Sequence, residues 1–144
     1  MTLSLEVARR LIGAVREAGE ARGLKPLSAC VVDAGGFPLA FERADGTSPM
    51  RFAIAHGKAN GAVMMGLGSR AIAERAEAQP HFVQAMNALA GGALVPAPGG
   101  VLIRRGGAVI GALGVTGATS EADEACAVEA IESAGLEADP GGRA

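Results

Sequence analysis

The sequence predicts a mixed α/β (α+β) fold, in which helices cover both faces of a five-stranded antiparallel sheet to give a three-layer α/β/α sandwich. The predicted elements come in the order helix, two strands, helices, three strands, helix. Glycine-containing turns at 34–36 and 105–107 each join two strands, which is typical of antiparallel hairpins. The strand over 108–115 is apolar on both faces, so we expect it at the centre of the sheet between layers of helices.

The first part of the chain supplies four helices and two strands. Apolar residues recur at helical spacing after Ser4, which is a suitable N-cap. Pro38 cannot donate a ladder hydrogen bond, so its strand is expected at an edge of the sheet. Glycine is unfavourable inside a helix, so Gly57 and Gly61 indicate that another segment packs closely there. The predicted helices are 4–22, 50–67, 69–78 and 80–90, and the predicted strands are 27–33 and 37–43.

The last third of the chain supplies three strands and a final helix. Ser120 and Asp123 have the spacing of a capping box, which predicts a helix start at Ser120. Proline and glycine in the last seven residues predict a flexible tail. The predicted strands are 93–95, 101–104 and 108–115, the helix is 120–136, the single domain is 1–137 and the tail is 138–144.

Composition excludes several classes of function. The chain of 144 residues has a net charge of −2, and it lacks a basic stripe, Trp and Tyr, so we expect no nucleic-acid partner. It also lacks a run of about 18 apolar residues, so no membrane span is expected. The charged N-terminus does not resemble a secretory signal, and two isolated cysteines, Cys30 and Cys126, favour a reducing cytoplasm.

Two regions carry candidate chemistry. On the helix over 50–67, His56 could ligate haem iron or act as a general base, or be a surface histidine, and Asn60 follows it on the same face. On the loop over 114–119, backbone N–H groups and the hydroxyls of Thr116 and Thr119 could hold an anion such as a carboxylate, while the glycines could serve packing alone.

Other candidates have weaker support. Glu74 and Glu77 are spaced to share a hard cation, although such pairs are also common on solvated helix faces. His81 stands at a predicted helix start, where a capping or solvated role is expected. Cys30 is expected to be a small core residue. Cys126 lies one turn into the final helix, whose N-terminus would favour a thiolate, although neighbouring Glu and Asp residues oppose it.

Three segments together resemble the GlcG/HbpS-like family, also described as haem-degrading or DUF336 domains. They are PAPGGVLIRRGGAVIGALGVTGATSEADEACA at 96–127, VVDAGGFPLAFERADG at 31–46 and AIAHGKANGA at 53–62. The resemblance covers about residues 4–136. Four positions depart from the family pattern: Thr116 stands for a usual Ser, Ala118 for Gly, Ala122 for Gln, and Phe37 for a common His.

The resemblance implies a profilin-like sheet, assembly into a homo-oligomer between dimer and octamer, and binding of haem or a related tetrapyrrole, with haem breakdown as a further activity. An alternative is a cofactor-independent isomerase, lyase or hydrolase that acts on a small carboxylate-bearing metabolite. A third is a structural oligomer partner without a ligand. The expected catalytic residues are Thr116, Asp123 and Lys58, and the expected ligand-binding residues are His56 (also the haem-iron ligand), Asn60, Gly99, Gly100, Gly117 and Thr119.

Overall fold

A computed structural model describes residues 2–142 as five helices and five strands. The elements alternate much as the sequence predicts, with boundaries that differ by a few residues. Their bounds are α1 Leu5–Ala21, β1 Ser28–Asp33, β2 Pro38–Arg43, α2 Arg51–Met65, α3 Ser69–Ala78, α4 Pro80–Leu89, β3 Gly100–Arg105, β4 Ala108–Thr116, α5 Ser120–Ser133 and β5 Glu137–Asp139.

The sheet is antiparallel throughout and has the strand order β2-β1-β4-β3-β5. Strand β4 lies at the centre, as its two apolar faces predict, and β2 lies at an edge, as Pro38 predicts. Helices cover both faces. On one face α1 and α5 pack on a core that includes Val31, Leu113 and Val115, and on the other α2 packs on Cys30, Val32 and Ala112. The predicted three-layer α/β/α sandwich is confirmed.

The close packing that Gly57 and Gly61 indicate is also present. The segment Leu94–Val95 lies against them, and a Cβ on Gly57 would approach the Val95 side chain to 2.6 Å. The Val95 N–H donates to the Gly57 carbonyl oxygen at 3.1 Å. The strand predicted over 93–95 is therefore wrong, because this backbone hydrogen-bonds to a helix instead of joining the sheet.

The fifth strand comes from the C-terminus instead. Strand β5 pairs with β3, and Asp139 accepts a hydrogen bond from the Arg104 Nε at 3.0 Å. The prediction of a flexible tail from 138 onward is therefore wrong for residues 138–139, while residues 143–144 lie outside the described part of the chain. Composition misled here because β5 is held by pairing with a distant strand, and the Pro-Gly-Gly stretch begins only after it.

Helix α5 begins one residue away from the predicted cap. Its N-cap is Thr119, whose hydroxyl oxygen accepts from the Ala122 N–H at 3.2 Å. The capping box of Ser120 with Asp123 does not form. Asp123 lies in the first turn, but its carboxylate accepts from the Ala118 N–H, before the helix, at 2.9 Å. The acidic side chain thus holds the loop that enters the helix.

Removing β5 tests its role. A chain ending at Leu136 loses the ladder with β3 and the Arg104–Asp139 ion pair, so its free energy of unfolding should fall by roughly 1–3 kcal/mol. Urea unfolding measures the change. A chain ending at Gly142 is the matched control and should keep full stability. Equal stability of both shortened chains would contradict a structural role for β5.

Candidate functional site

A buried ion pair joins α2 to the loop between β4 and α5. The Lys58 ammonium lies 3.2 Å from the Asp123 Oδ2 and donates to the Val115 carbonyl oxygen at 2.9 Å. The two side chains are only 3% and 2% exposed. Lys58 sits on the inner face of α2, among small residues that let the helix approach the sheet. Two of the predicted catalytic residues are therefore in direct contact.

Gly99 and Gly100 provide the space that the Lys58 side chain and backbone occupy. A Cβ on Gly100 would collide with the Lys58 carbonyl oxygen, and one on Gly99 would approach the Lys58 Nζ to 2.9 Å. Gly99 also has φ +122°, where a side chain is strained. The Ser69 hydroxyl fixes this turn, since it accepts from the Gly100 N–H at 2.7 Å and donates to the Ala97 carbonyl at 2.6 Å. These contacts are internal to the fold.

The loop that follows β4 is also closely packed. Gly117 has φ +135°, and a Cβ there would collide with the Pro26 carbonyl oxygen. The Thr119 hydroxyl serves as the α5 N-cap. The structure thus gives both residues a local role, in agreement with the packing alternative for the glycines.

Arg51 completes the cluster, and the sequence analysis missed it. Its Nη1 donates to the Thr116 Oγ1 at 2.7 Å, from the first residue of α2 to the last residue of β4. Arg51 is half-buried, whereas Thr116 is 2% exposed. No local motif marks Arg51, because its partner lies 65 positions along the chain. It is the outermost member of the cluster and hence the one best placed to meet a ligand.

Burial determines the protonation behaviour of the ion pair. Burial raises the pKa of the Asp123 carboxyl, and the Lys58 charge and the Ala118 N–H offset only part of the rise. Burial likewise lowers the pKa of the Lys58 amine, against the opposing effect of Asp123. Each group is therefore easier to neutralise than an exposed counterpart, which is the condition for proton exchange within the pair.

Replacing Lys58 should move the Asp123 pKa further. In Lys58→Met the charge that lowers this pKa is lost, so the pKa should rise beyond its value in the parent protein. A raised pKa means that the native state holds the proton more tightly than the unfolded state does. The contribution of this carboxyl to stability therefore falls as the pH increases from about 4, its ordinary pKa, through the folded-state pKa. Carbon-13 NMR titration of the carboxyl measures the shift. Arg104→Gln removes a distant cation and should leave the Asp123 pKa unchanged; an equal shift in both variants would contradict the pairing.

His56 is directed away from the buried pair. Lys58 follows it by two residues, or about 200° around the helix. The His56 ring stacks on Phe52 with centroids 5.4 Å apart and planes 4° apart, and Phe52 meets Phe41 of β2 edge-on at 5.0 Å. We call Phe41, Phe52 and His56 the aromatic ledge. Asn60, one turn on, donates through Nδ2 to the Ala93 carbonyl at 2.9 Å, so that amide braces the 93–95 segment.

The remaining candidates lie elsewhere. Glu74, Glu77 and His81 are exposed on α3 and α4. Within residues 2–142 no three His, Cys, Asp or Glu side chains converge as a metal site would require. Both cysteines are buried, and burial raises the pKa of Cys30 to about 12, in keeping with an inert core thiol.

The family follows from the match to known proteins. The family model described as "Haem degrading protein HbpS-like" matches residues 3–132. The chain belongs to the HbpS-like family. No curated protein matches it in sequence. Across the part of the chain that the structure describes, no helix is long and apolar enough to span a membrane.

Several solved structures of the HbpS-like fold are similar to this chain, and each similarity covers nearly the whole of both chains. A PduOC–haem complex is 26% identical with a TM-score of 0.83, covering 94% of this chain and 97% of that one. HbpS is 28% identical with a TM-score of 0.81, covering 92% and 90%. The Klebsiella pneumoniae protein ORFY, a DUF336 protein, is 26% identical with a TM-score of 0.82, also covering 92% and 90%.

Of the four positions that depart from the family pattern, Phe37 is the one whose structural surroundings are best defined. Its side chain is 71% exposed, at the turn that leads into β2. The neighbouring Gly36 lies against Asn60 and Met64 of α2. The family position where the resemblance implies a common His thus carries an exposed apolar ring, next to a residue that packs on α2.

Proposed function

We propose that this HbpS-like chain binds haem or a closely related tetrapyrrole. The observation that carries the proposal is the likeness to PduOC, whose structure was solved in complex with haem and whose fold coincides with this one over nearly both chains. The family's description as haem-degrading supports the same ligand class.

The aromatic ledge fits such a ligand. A tetrapyrrole presents a wide apolar face, and the ledge brings together aromatic rings from β2 and α2, of which Phe52 is 42% exposed. His56 supplies an imidazole, the most common protein ligand of haem iron. Bound haem would contribute redox-active iron. The activity to test on the haem-loaded protein is breakdown of the haem. The chain itself supplies the apolar surface and the nitrogen donor.

The geometry favours a binding protein over the cofactor-independent enzyme. Lys58, Asp123 and Thr116 are buried and hydrogen-bonded to Val115, Ala118 and Arg51 as well as to each other. A catalytic acid or base must reach its substrate. These contacts hold α2 against the sheet, and α2 carries two of the three residues of the aromatic ledge. The cluster therefore supports the proposal indirectly.

A haem titration tests the proposal. The apoprotein should bind haem with a shift of the Soret band, and His56→Ala should change that spectrum and weaken binding by about tenfold or more. His81→Ala is the matched control, since it removes the other, exposed histidine and should bind like the parent. Absence of a Soret shift, or the same spectrum from His56→Ala as from the parent, would contradict the proposal.

We also infer that copies of the chain assemble. Phe37, Met50 and Met64 are 71%, 61% and 50% exposed, and a partner copy that covered them would remove this apolar surface from water. Light scattering of the purified chain should give a mass between dimer and octamer. Phe37→Ser should lower that mass, whereas a monomeric parent would contradict assembly.

A further inference from the structure

A row of polar side chains crosses three neighbouring strands beside the aromatic ledge. Ser28 of β1 pairs with Arg43 of β2 on one side and with Thr116 of β4 on the other. Directly paired residues of antiparallel strands point to the same face, with Cβ atoms about 5 Å apart. Alternation along β1 places Ser28 on the face of Cys30, which is the face that α2 covers. Arg43, Ser28 and Thr116 therefore form one row on that face.

Ser28 is the unexplained member of the row. Its side chain is 0% exposed, and its Oγ has no hydrogen-bond partner in the described structure. Buried hydroxyls are nearly always hydrogen-bonded, and a serine at the start of a strand could be replaced by alanine at no cost to the backbone ladder. The orphaned hydroxyl is therefore the kind of group that a ligand completes.

Each residue paired with Ser28 in the sheet either is an arginine or accepts a hydrogen bond from one. Arg43 is exposed and adjacent to Ser28 in the sheet, and Arg51 reaches the row from α2, where it donates to Thr116. The acidic groups nearby are Asp123, which is paired with Lys58, and Asp45 on the loop after β2. Two guanidinium groups and a hydroxyl donor match the planar oxygens of a carboxylate.

The row also has a defined relation to the ledge. Phe41 lies two residues from Arg43 on the same face of β2, a separation of about 7 Å along the strand. A ligand that lies on the ledge and carries short carboxylate arms would thus direct them toward Arg43 and Arg51.

We propose that Arg43, Arg51 and Ser28 form a carboxylate subsite. In this subsite the two guanidinium groups donate hydrogen bonds to the anion, and the Ser28 hydroxyl donates to one of its oxygens. The subsite's use for tetrapyrrole side chains rests on the proposed function, whereas its affinity for a carboxylate does not. Because Ser28 is buried, an anion reaches its hydroxyl only if neighbouring side chains move, and the Arg51 bond to Thr116 is the contact that we expect to open.

The first test compares haem with haem dimethyl ester, which has the same ring but no free carboxylates. The parent should bind haem at least about tenfold more tightly than the diester, and Arg43→Gln or Ser28→Ala should weaken haem binding while leaving diester binding unchanged. Arg9→Gln is the control, since it removes one exposed cation from α1. Equal losses for haem and diester, or no loss for either, would overturn the subsite.

The second test needs no haem and separates this inference from the proposed function. Sodium propanoate, followed by NMR of the Arg Nε–H signals and backbone amides, should shift Arg43, Arg51 and Ser28 along a saturating curve, which Ser28→Ala combined with Arg43→Gln should abolish. Chemical-shift changes no larger than those caused by sodium chloride of equal ionic strength would overturn the subsite. The hydrogen-bond partner of the Ser28 hydroxyl would then be a water molecule only. A propanoate response without a Soret shift in the haem titration would refute the tetrapyrrole and leave the carboxylate subsite standing.

Discussion

Asp123→Ala should lower the free energy of unfolding by roughly 3–5 kcal/mol at pH 6, because it leaves the Lys58 ammonium buried without its partner. The loss also frees the Ala118 N–H, which now donates to the Asp123 carboxylate. The loop before α5 should become more mobile, so amide hydrogen exchange at 117–119 should accelerate along with the global change. Urea unfolding measures the stability.

Two further variants make this result interpretable. Glu129→Ala removes a carboxylate that pairs with Arg22 on the surface and should change stability by about 1 kcal/mol or less. The double variant Lys58→Met with Asp123→Leu removes both charges and should recover most of the lost stability. A single Asp123→Ala variant as stable as Glu129→Ala would show that the pair is not a stabilising link between α2 and the loop.

Gly114→Ala should cost about 3 kcal/mol and reduce the yield of folded protein, because α2 approaches β4 most closely at this residue. A Cβ on Gly114 would collide with the Ala55 carbonyl oxygen and lie 2.9 Å from the Ala59 backbone nitrogen. Both are backbone atoms of a helix, so they cannot move aside as the end of a flexible side chain can. The helix must lift from the sheet, and the Lys58–Asp123 contact should lengthen with it.

Gly13→Ala is the matched control. Gly13 lies inside α1 with no atom near the position of an added Cβ. The same chemical change there should stabilise the protein by about 0.5–1 kcal/mol through helix propensity. If thermal unfolding gave the two variants the same melting temperature, close backbone approach would not be the reason for glycine at 114.

Local patterns in the sequence were sufficient to predict most of the fold. The two apolar faces of 108–115 placed that strand at the centre, Pro38 placed its strand at an edge, and the glycines of the helix after residue 50 indicated a close neighbour. The pattern failed for the fifth strand. Residues 93–95 are apolar but hydrogen-bond to α2, whereas residues 137–139 are polar and join the sheet. Strand propensity cannot distinguish these cases, since pairing with a distant partner decides them.

For the site, the sequence identified Lys58, Thr116 and Asp123 individually, and the tertiary structure showed which residues they contact. The opposite charges of Lys58 and Asp123 lie 65 positions apart, and only the packing of α2 against the end of β4 brings them together. Arg51 and Ser28 carry no motif, so their significance appears only when strand register and helix packing place them in one row. Residue type and short-range spacing determined the elements and the chemistry available. Long-range contacts, which depend on the whole chain at once, determined that the acid and base form a buried pair and that Phe41, Phe52 and His56 come together in the aromatic ledge.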